Sequence, residues 1–362
     1  MTPRFLFAAG GTGGHIFPAL AVADRLKAIE PKSAIEFIGT RGRLEEKTVP
    51  RAGYPLNFLW ISGLERKLSL QTLLLPGKLA VSFMQMASLV RRVRPHAIVC
   101  AGAYVSYPAG MVGSMMGVPV VLMESNAFPG LVTRKLAPRA RQVHVAFDEA
   151  VEALRPDAGK QTEIFVSGNP VRGIFLENVE RAEARRHFGL DPERPTLFAF
   201  GGSLGARSIN AALDAIVDRL LESGIQVIWQ TGTSYTGGDK KGGGLYRSTF
   251  IHEMQLSYAA ADLVLARAGA TTAAELAVVG KPSILVPIPI ATVHQLENAQ
   301  AMEKAGAARM LEDGLLGEKL EAEVRELLSD PERLGRMGEC AGRIGVPDAD
   351  ERIARHLLGL VE

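Results

Sequence analysis

The stretch that most constrains this chain is Ala8-Ala9-Gly10-Gly11-Thr12-Gly13-Gly14-His15. An apolar run, Phe5-Leu6-Phe7, precedes it and reads as a buried strand. Pro18 to Leu26 follows, with Ala19, Val22, Ala23 and Leu26 at the spacing of one helix face. The glycines therefore lie between a strand and a helix, where free backbone N–H groups and the positive end of a helix dipole converge. Without Cβ atoms, Gly10, Gly11, Gly13 and Gly14 let the backbone approach a ligand closely. The stretch ends in His15, a side chain suited to proton transfer near neutral pH. The helix N-terminus is expected to lower its pKa and keep it neutral. The same residues also fit a plain βα turn with a capping histidine. A dinucleotide site fits less well. Gly11-x-Gly13-x-x-Ile16 lacks the third glycine, and the next strand, Ile35 to Ile38, ends in Gly39-Thr40-Arg41 with no acidic residue for a ribose.

A chain of 362 residues is long enough for two domains. A net charge of +2 gives no reason to expect nucleic acid. Cys100 and Cys340 make no disulfide framework and fit a reducing compartment. The first residues run straight into a strand and no apolar run reaches spanning length, so a cytoplasmic protein is expected.

Along the first half, Glu45 to Gly53 reads as a short polar helix and turn, and Pro55 to Ile61 as a strand. Leucines then cluster. Leu70, Leu73, Leu74, Leu75, Leu79 and Phe83 lie near Lys67 and Lys78, as an anionic membrane interface would attract, or as helix residues covering a sheet would be. His96 to Cys100 is a buried strand that opens into Ala101-Gly102-Ala103-Tyr104, and Val118 to Met123 is another that ends in Glu124-Ser125-Asn126. Open α/β sheets bind ligands at the carboxyl ends of their strands. Gly13, His15, Gly102, Tyr104, Glu124 and Asn126 should line one such rim. There His15 and Glu124 are acid/base candidates, and a capping carboxylate is an equally good reading of Glu124.

Gly168-Asn169-Pro170-Val171-Arg172 suits a hinge, and the plan then restarts. Thr196 to Phe200 is a strand, Gly201-Gly202-Ser203-Leu204-Gly205-Ala206 a glycine turn, and Ser208 to Leu221 a helix. Two such starts argue for two Rossmann-like domains. Residues 236–244 read as a surface loop, and Thr249 to Met254 as a strand and its exit. After a strand at Asp262 to Ala266, Ala270 to Thr272 should open a helix whose amides suit a phosphate. Glu275, a turn later, suits vicinal ribose hydroxyls. A last amphipathic helix, 348–358, closes the chain.

Gly10 to His15, Gly168 to Arg172, Gly201-Gly202-Ser203-x-Gly205-Ala206, Arg267-x-Gly269-Ala270-x-Thr272 and His294-Gln295-x-x-Asn298-Ala299 occur in that order. In these motifs, over nearly its whole length, the chain resembles the peptidoglycan N-acetylglucosaminyltransferases that convert lipid I to lipid II. The resemblance implies an α/β GT-B fold, two Rossmann-like domains whose parallel sheets face a central cleft. Residues 1–165 with 344–362 would form the acceptor- and membrane-facing domain, and residues 166–343 the UDP-GlcNAc domain. It implies inverting transfer of GlcNAc from UDP-GlcNAc to the C4 hydroxyl of MurNAc on undecaprenyl-pyrophosphoryl-MurNAc-pentapeptide, with no cofactor or metal. UDP-GlcNAc, lipid I, an anionic membrane surface and other cell-wall synthesis proteins are the implied partners. The protein would sit peripherally on the cytoplasmic face of the cell membrane.

The same resemblance sets the donor against Thr12, Gly13, Gly14, Asn126, Arg172, Ser203 and Ile251, against Ala270, Thr271, Thr272, Ala273, Ala274 and Glu275, and against Gln295. Ile251 would read uracil through its backbone, Glu275 the ribose and Gln295 the GlcNAc hydroxyls. His15 and Glu124 would be the catalytic pair, with Gly102, Tyr104 and Glu124 toward the acceptor. It also favours the leucine-rich segment as the membrane surface. Two positions depart from the pattern: Met123 stands where a histidine is common, and Leu204 where a glutamine is usual. Another UDP-sugar GT-B transferase or epimerase, and a nicotinamide-dependent oxidoreductase, are the competing readings.

Overall fold

The computed structural model describes residues 2–61, 75–202, 204–290 and 294–361. It divides into two units, Met1–Arg172 with Val346–Glu362, and Gly173–Gly345.

The first unit is built on a sheet of seven parallel strands. They are β1 (Arg4–Ala8), β2 (Ala34–Gly39), β3 (Leu56–Phe58), β4 (Ala97–Cys100), β5 (Val120–Glu124), β6 (Gln142–Val145) and β7 (Glu163–Val166), in the order 3-2-1-4-5-6-7. Phe5 to Ala8 and Ala97 to Val99 are apolar and buried on both faces, as strands inside a two-sided parallel sheet must be. The strand order reverses between β1 and β4, where Ala8 pairs with Cys100. The turns leaving these two strands therefore start side by side, and Ala101 N–H donates to the Ala8 carbonyl at 2.9 Å. Such a switch point is where open α/β sheets take ligands. The first helix (Gly13–Ile29) covers one face through Ile16, Ala19, Val22, Ala23 and Leu26. The last helix (Ala349–Leu358) joins the same core through Ile353, Ala354 and Leu357, and Arg25 holds Asp350 at 3.1 Å.

The second unit repeats the plan with β8 (Thr196–Phe200), β9 (Gln226–Gln230), β10 (Lys240–Gly242), β11 (Leu245–Ser248), β12 (Leu263–Arg267), β13 (Ser283–Val286) and β14 (Ala308–Met310), in the order 10-11-9-8-12-13-14. All pairs are parallel except β10 with β11. Its switch point lies between β8 and β12, where Ala266 pairs with Phe200. Two sequence expectations are corrected here. Residues 240–242 form an edge strand rather than loop, because Lys240 to Gly242 pair with Arg247 to Leu245. The strand expected at Thr249 to Met254 lies earlier, at β11; Glu253 caps a helix (Met254–Ala260) instead.

Candidate active site

In the first unit the turn after β1 carries His15. The His15 ring lies against the turn after β4: a Cβ on Gly102 would come within 2.5 Å of its Cδ2. Gly102 has φ +99° and Ala103 φ +62°, so two successive residues hold the left-handed backbone that lets the β4 turn pass under the ring. Thr12 caps the first helix by position, and its Oγ1 lies 3.3 Å from His15 Nδ1. The pKa of His15 is lowered, as expected, but burial is the leading cause rather than the helix dipole. Glu124 and Glu45 oppose it, as does a bond from the ring to the Gly10 carbonyl.

Glu124 ends β5 and is buried. Its Oε1 accepts from Asn126 N–H at 3.0 Å and Asn126 Nδ2 at 2.9 Å; its Oε2 accepts from Gly130 N–H at 2.9 Å and Thr133 Oγ1 at 2.6 Å. This carboxylate organises the loop of residues 124–133 and presents Asn126. Met123 is buried among Phe5, Phe7 and Val121, so the core accounts for an apolar residue there. Arg172 lies over the Phe17 ring, 5.8 Å from its centroid, which brings it to the first turns of the helix that begins at Gly13. Tyr104 is half exposed beside Gly102.

One residue of this site was not anticipated. Glu45 is fully buried, and its carboxylate lies beneath the glycine turn, accepting from Gly11 N–H at 3.0 Å. Its helix (Glu45–Arg51) is polar and short, so nothing in the local pattern marks the first residue as interior.

In the second unit the helix Ala270–Val278 starts at the end of β12, capped by Gly269 with no side-chain bond. The Thr271 hydroxyl at its start is buried and has no partner among the described residues. Glu275 receives a 2.9 Å hydrogen bond from the Tyr258 hydroxyl, and Tyr258 is locked by edge-on packing against Phe175, Phe198 and Phe200. Arg267 donates to Asp313, to Ser208 Oγ and to the Val286 carbonyl; Asn298, also buried, donates to the Ala268 carbonyl at 3.1 Å. These bonds fix the ends of β12 and β13 and hence the helix start. Ile251 is buried and its N–H donates to Gln230 Oε1 at 2.9 Å. Gln295 Oε1 accepts from Ile288 N–H at 3.1 Å, so the amide N–H2 is what its side chain can offer a sugar. Thr272, Ala273 and Ala274 continue the helix. Leu204 is 73 % exposed. Ser203 lies outside the described residues.

Of the leucine-rich segment, Leu70, Leu73 and Leu74 lie outside the described residues, as does the Leu75 side chain. The rest belongs to the helix Leu75–Val93. Lys78 lies over the Trp60 ring, Leu79 is half-buried, and Phe83 turns inward against Tyr107 and the core.

Two doubly wound parallel sheets, each with a glycine turn at its switch point, define a GT-B glycosyltransferase fold. The chain belongs to glycosyltransferase family 28: the family's N-terminal domain matches residues 5–145 and its C-terminal domain residues 196–353. It is 40 % identical to the UDP-N-acetylglucosamine–N-acetylmuramyl-(pentapeptide) pyrophosphoryl-undecaprenol N-acetylglucosamine transferase of Chlorobium limicola, over 99 % of both chains. It is 43 % identical to the transferase of the same name from Chlorobium luteolum, again over 99 % of both. Among solved structures it is similar to Acinetobacter baumannii MurG, with a TM-score of 0.77 and 26 % identity over 99 % of this chain and 100 % of that one.

Proposed function

We propose that this protein transfers GlcNAc from UDP-GlcNAc to the C4 hydroxyl of MurNAc in undecaprenyl-pyrophosphoryl-MurNAc-pentapeptide, with inversion, converting lipid I to lipid II. The observation that carries this reading is the full-length likeness to the two Chlorobium transferases. The second unit takes the nucleotide. The Ala270 helix start and the unpartnered Thr271 hydroxyl suit the diphosphate. Glu275, steadied by Tyr258, suits the ribose hydroxyls. A uracil at Ile251 reads the carbonyl, or replaces Gln230 at the N–H. Such donors at the diphosphate stabilise charge that develops on UDP as the glycosidic bond breaks.

The first unit takes the acceptor. Burial keeps the His15 imidazole neutral near pH 7, so it can accept the proton of the attacking hydroxyl. Glu124 acts through position: its two oxygens already accept four hydrogen bonds, and its charge favours the imidazolium that forms. Thr12, Gly13, Gly14, Asn126 and Arg172 follow the carboxyl ends of β1, β5 and β7 and suit the donor sugar. Gly102 and Tyr104 flank His15 on the acceptor side.

No helix among the described residues is long and apolar enough to cross a membrane. The proposed attachment is peripheral, on the cytoplasmic face of the membrane, through the helix Leu75–Val93 and the segment before it. Support comes from Met84 and Met115, exposed on two helices that pack together, from Met116 just past the end of the second, and from half-exposed Trp60 beneath Lys78. Other cell-wall synthesis proteins are proposed partners.

The test is incubation of the purified chain with UDP-GlcNAc and a short-chain soluble lipid I analogue. Release of UDP with formation of a β-linked disaccharide is expected. Conversion of UDP-GlcNAc to its 2-epimer, or no transfer to the MurNAc acceptor, would contradict the reading.

A further inference from the structure

We propose that Glu45 is a positioning residue of the first-unit site: its buried carboxylate fixes the glycine turn from beneath and so sets where His15 stands against Gly102. The carboxylate accepts from Gly11 N–H at 3.0 Å, from Thr40 N–H at 3.0 Å and from Thr40 Oγ1 at 2.9 Å. Gly11 follows β1 and Thr40 follows β2, so one side chain ties the catalytic turn to the neighbouring strand. A carboxylate removed from water is tolerated only with such donors around it, which makes the arrangement rigid.

Two glycines are shaped to it. A Cβ on Gly10 would lie 2.6 Å from Glu45 Oε1, and one on Gly39 2.6 Å from Glu45 Cγ. Neither residue is among the positive-φ glycines, so the backbone there does not itself demand glycine; the seat of the Glu45 side chain does. Part of the glycine content that makes the turn look like a phosphate loop is therefore room for an internal anion. That anion occupies the Gly11 N–H. The charged groups acting on the His15 ring are Glu124 and Glu45, and both favour its protonated form against the effect of burial.

The inference rests on His15 being the base, and the experiment separates the two. Glu45→Gln keeps the shape and removes the charge. In the full chain, Tm, the pH profile of kcat, the KM for UDP-GlcNAc and the NMR titration of the His15 ring are compared with wild type. His15 should titrate lower, because a charge that favours the imidazolium is gone. The plateau kcat should fall about tenfold while the donor KM stays within about twofold. A carboxylate with a merely structural role would lower Tm and leave both the His15 titration and the plateau kcat unchanged; that result overturns the proposal. A displaced His15 titration with an unchanged kcat profile would report only the charge removed from beside the ring and would overturn the positioning role, whereas an unchanged kcat for His15→Ala would remove His15 as the base. Should Glu45→Gln not fold, Thr40→Val removes one donor from the carboxylate. A kcat reduced about threefold or more at constant donor KM supports the proposal, and an unaltered kcat overturns it.

Discussion

The two units open with the same local device, a strand, a glycine turn and a helix, and differ in what lies against the turn. Under Gly10–Gly14 lies the Glu45 carboxylate, which takes the Gly11 N–H for the protein itself. The turn at Gly201–Ala206 is pressed instead onto backbone. A Cβ on Gly205 would meet the Thr231 carbonyl oxygen at 2.1 Å, and one on Gly232 the Gly205 nitrogen at 2.0 Å. The helix start beside it, at Ala270, has Arg267 anchored at the preceding strand end and an unpartnered Thr271 hydroxyl. A glycine turn is thus not a phosphate site by itself. An anion lies beneath the first, and on the proposed reading it makes that turn a platform for the neutral histidine while the helix start beside the second takes the nucleotide.

If the first turn serves proton transfer, its histidine should dominate kcat. His15→Ala should lower kcat by about 10²–10⁴-fold with little change in donor Kd, measured in single turnovers. His15→Asn should be nearly as poor, since it keeps polarity without basicity. A kcat within about threefold of wild type for His15→Ala would end that role.

If the second unit holds the ribose, Glu275→Ala should raise donor KM by about 1.5–3 kcal/mol, with Tyr258→Phe in the same direction and smaller. An unchanged donor KM for Glu275→Ala would remove it from the site. Thr271→Val sharpens the comparison further, because function and stability should move oppositely. Replacing a buried, unpartnered hydroxyl should leave Tm equal or higher, while kcat/KM for UDP-GlcNAc falls about tenfold. Loss of both would make Thr271 a structural residue.

Much of this was legible in the sequence, for local reasons. Phe5 to Ala8 and Leu197 to Phe200 are apolar runs followed by glycines, and each proved to lie in a central strand. Glu124 was visible as a charge at a strand end, yet its four donors come from residues up to Thr133 and exist only once that loop folds. Glu45 was invisible, since a glutamate opening a polar helix normally faces water, and its burial depends on glycines 35 and 6 positions earlier in the chain. Phe83 read with the leucines as exposed surface, but its partner Tyr107 lies on another helix and turns it inward.

The units should also differ in acid. His144 is buried in the first unit beside His356, and desolvation, with His356 adding to it, pushes its pKa down to about 3. Below the ordinary value of 6.5 the unfolded chain binds a proton that the folded unit refuses. Stability present above pH 6.5 is therefore lost as pH falls toward 3, by about 1.4 kcal/mol per pH unit at most. Burial lowers His15 too and acts in the same direction. Hydrogen exchange at pH 5 should loosen the first unit before the second, and His144→Gln should reduce the difference. Equal loosening of both units would show that buried histidines do not set acid stability.

The central claim, that the nucleotide is anchored by the helix start at Ala270 in the second unit and not by the glycine turn of the first, is tested most directly by amide hydrogen exchange with UDP alone, at saturating concentration. The account predicts protection at Gly269 through Glu275 and at Ile251, with the Gly10 to Gly14 amides exchanging as in the free protein. Protection of Gly10 to Gly14 with none at Gly269 to Glu275 would contradict it.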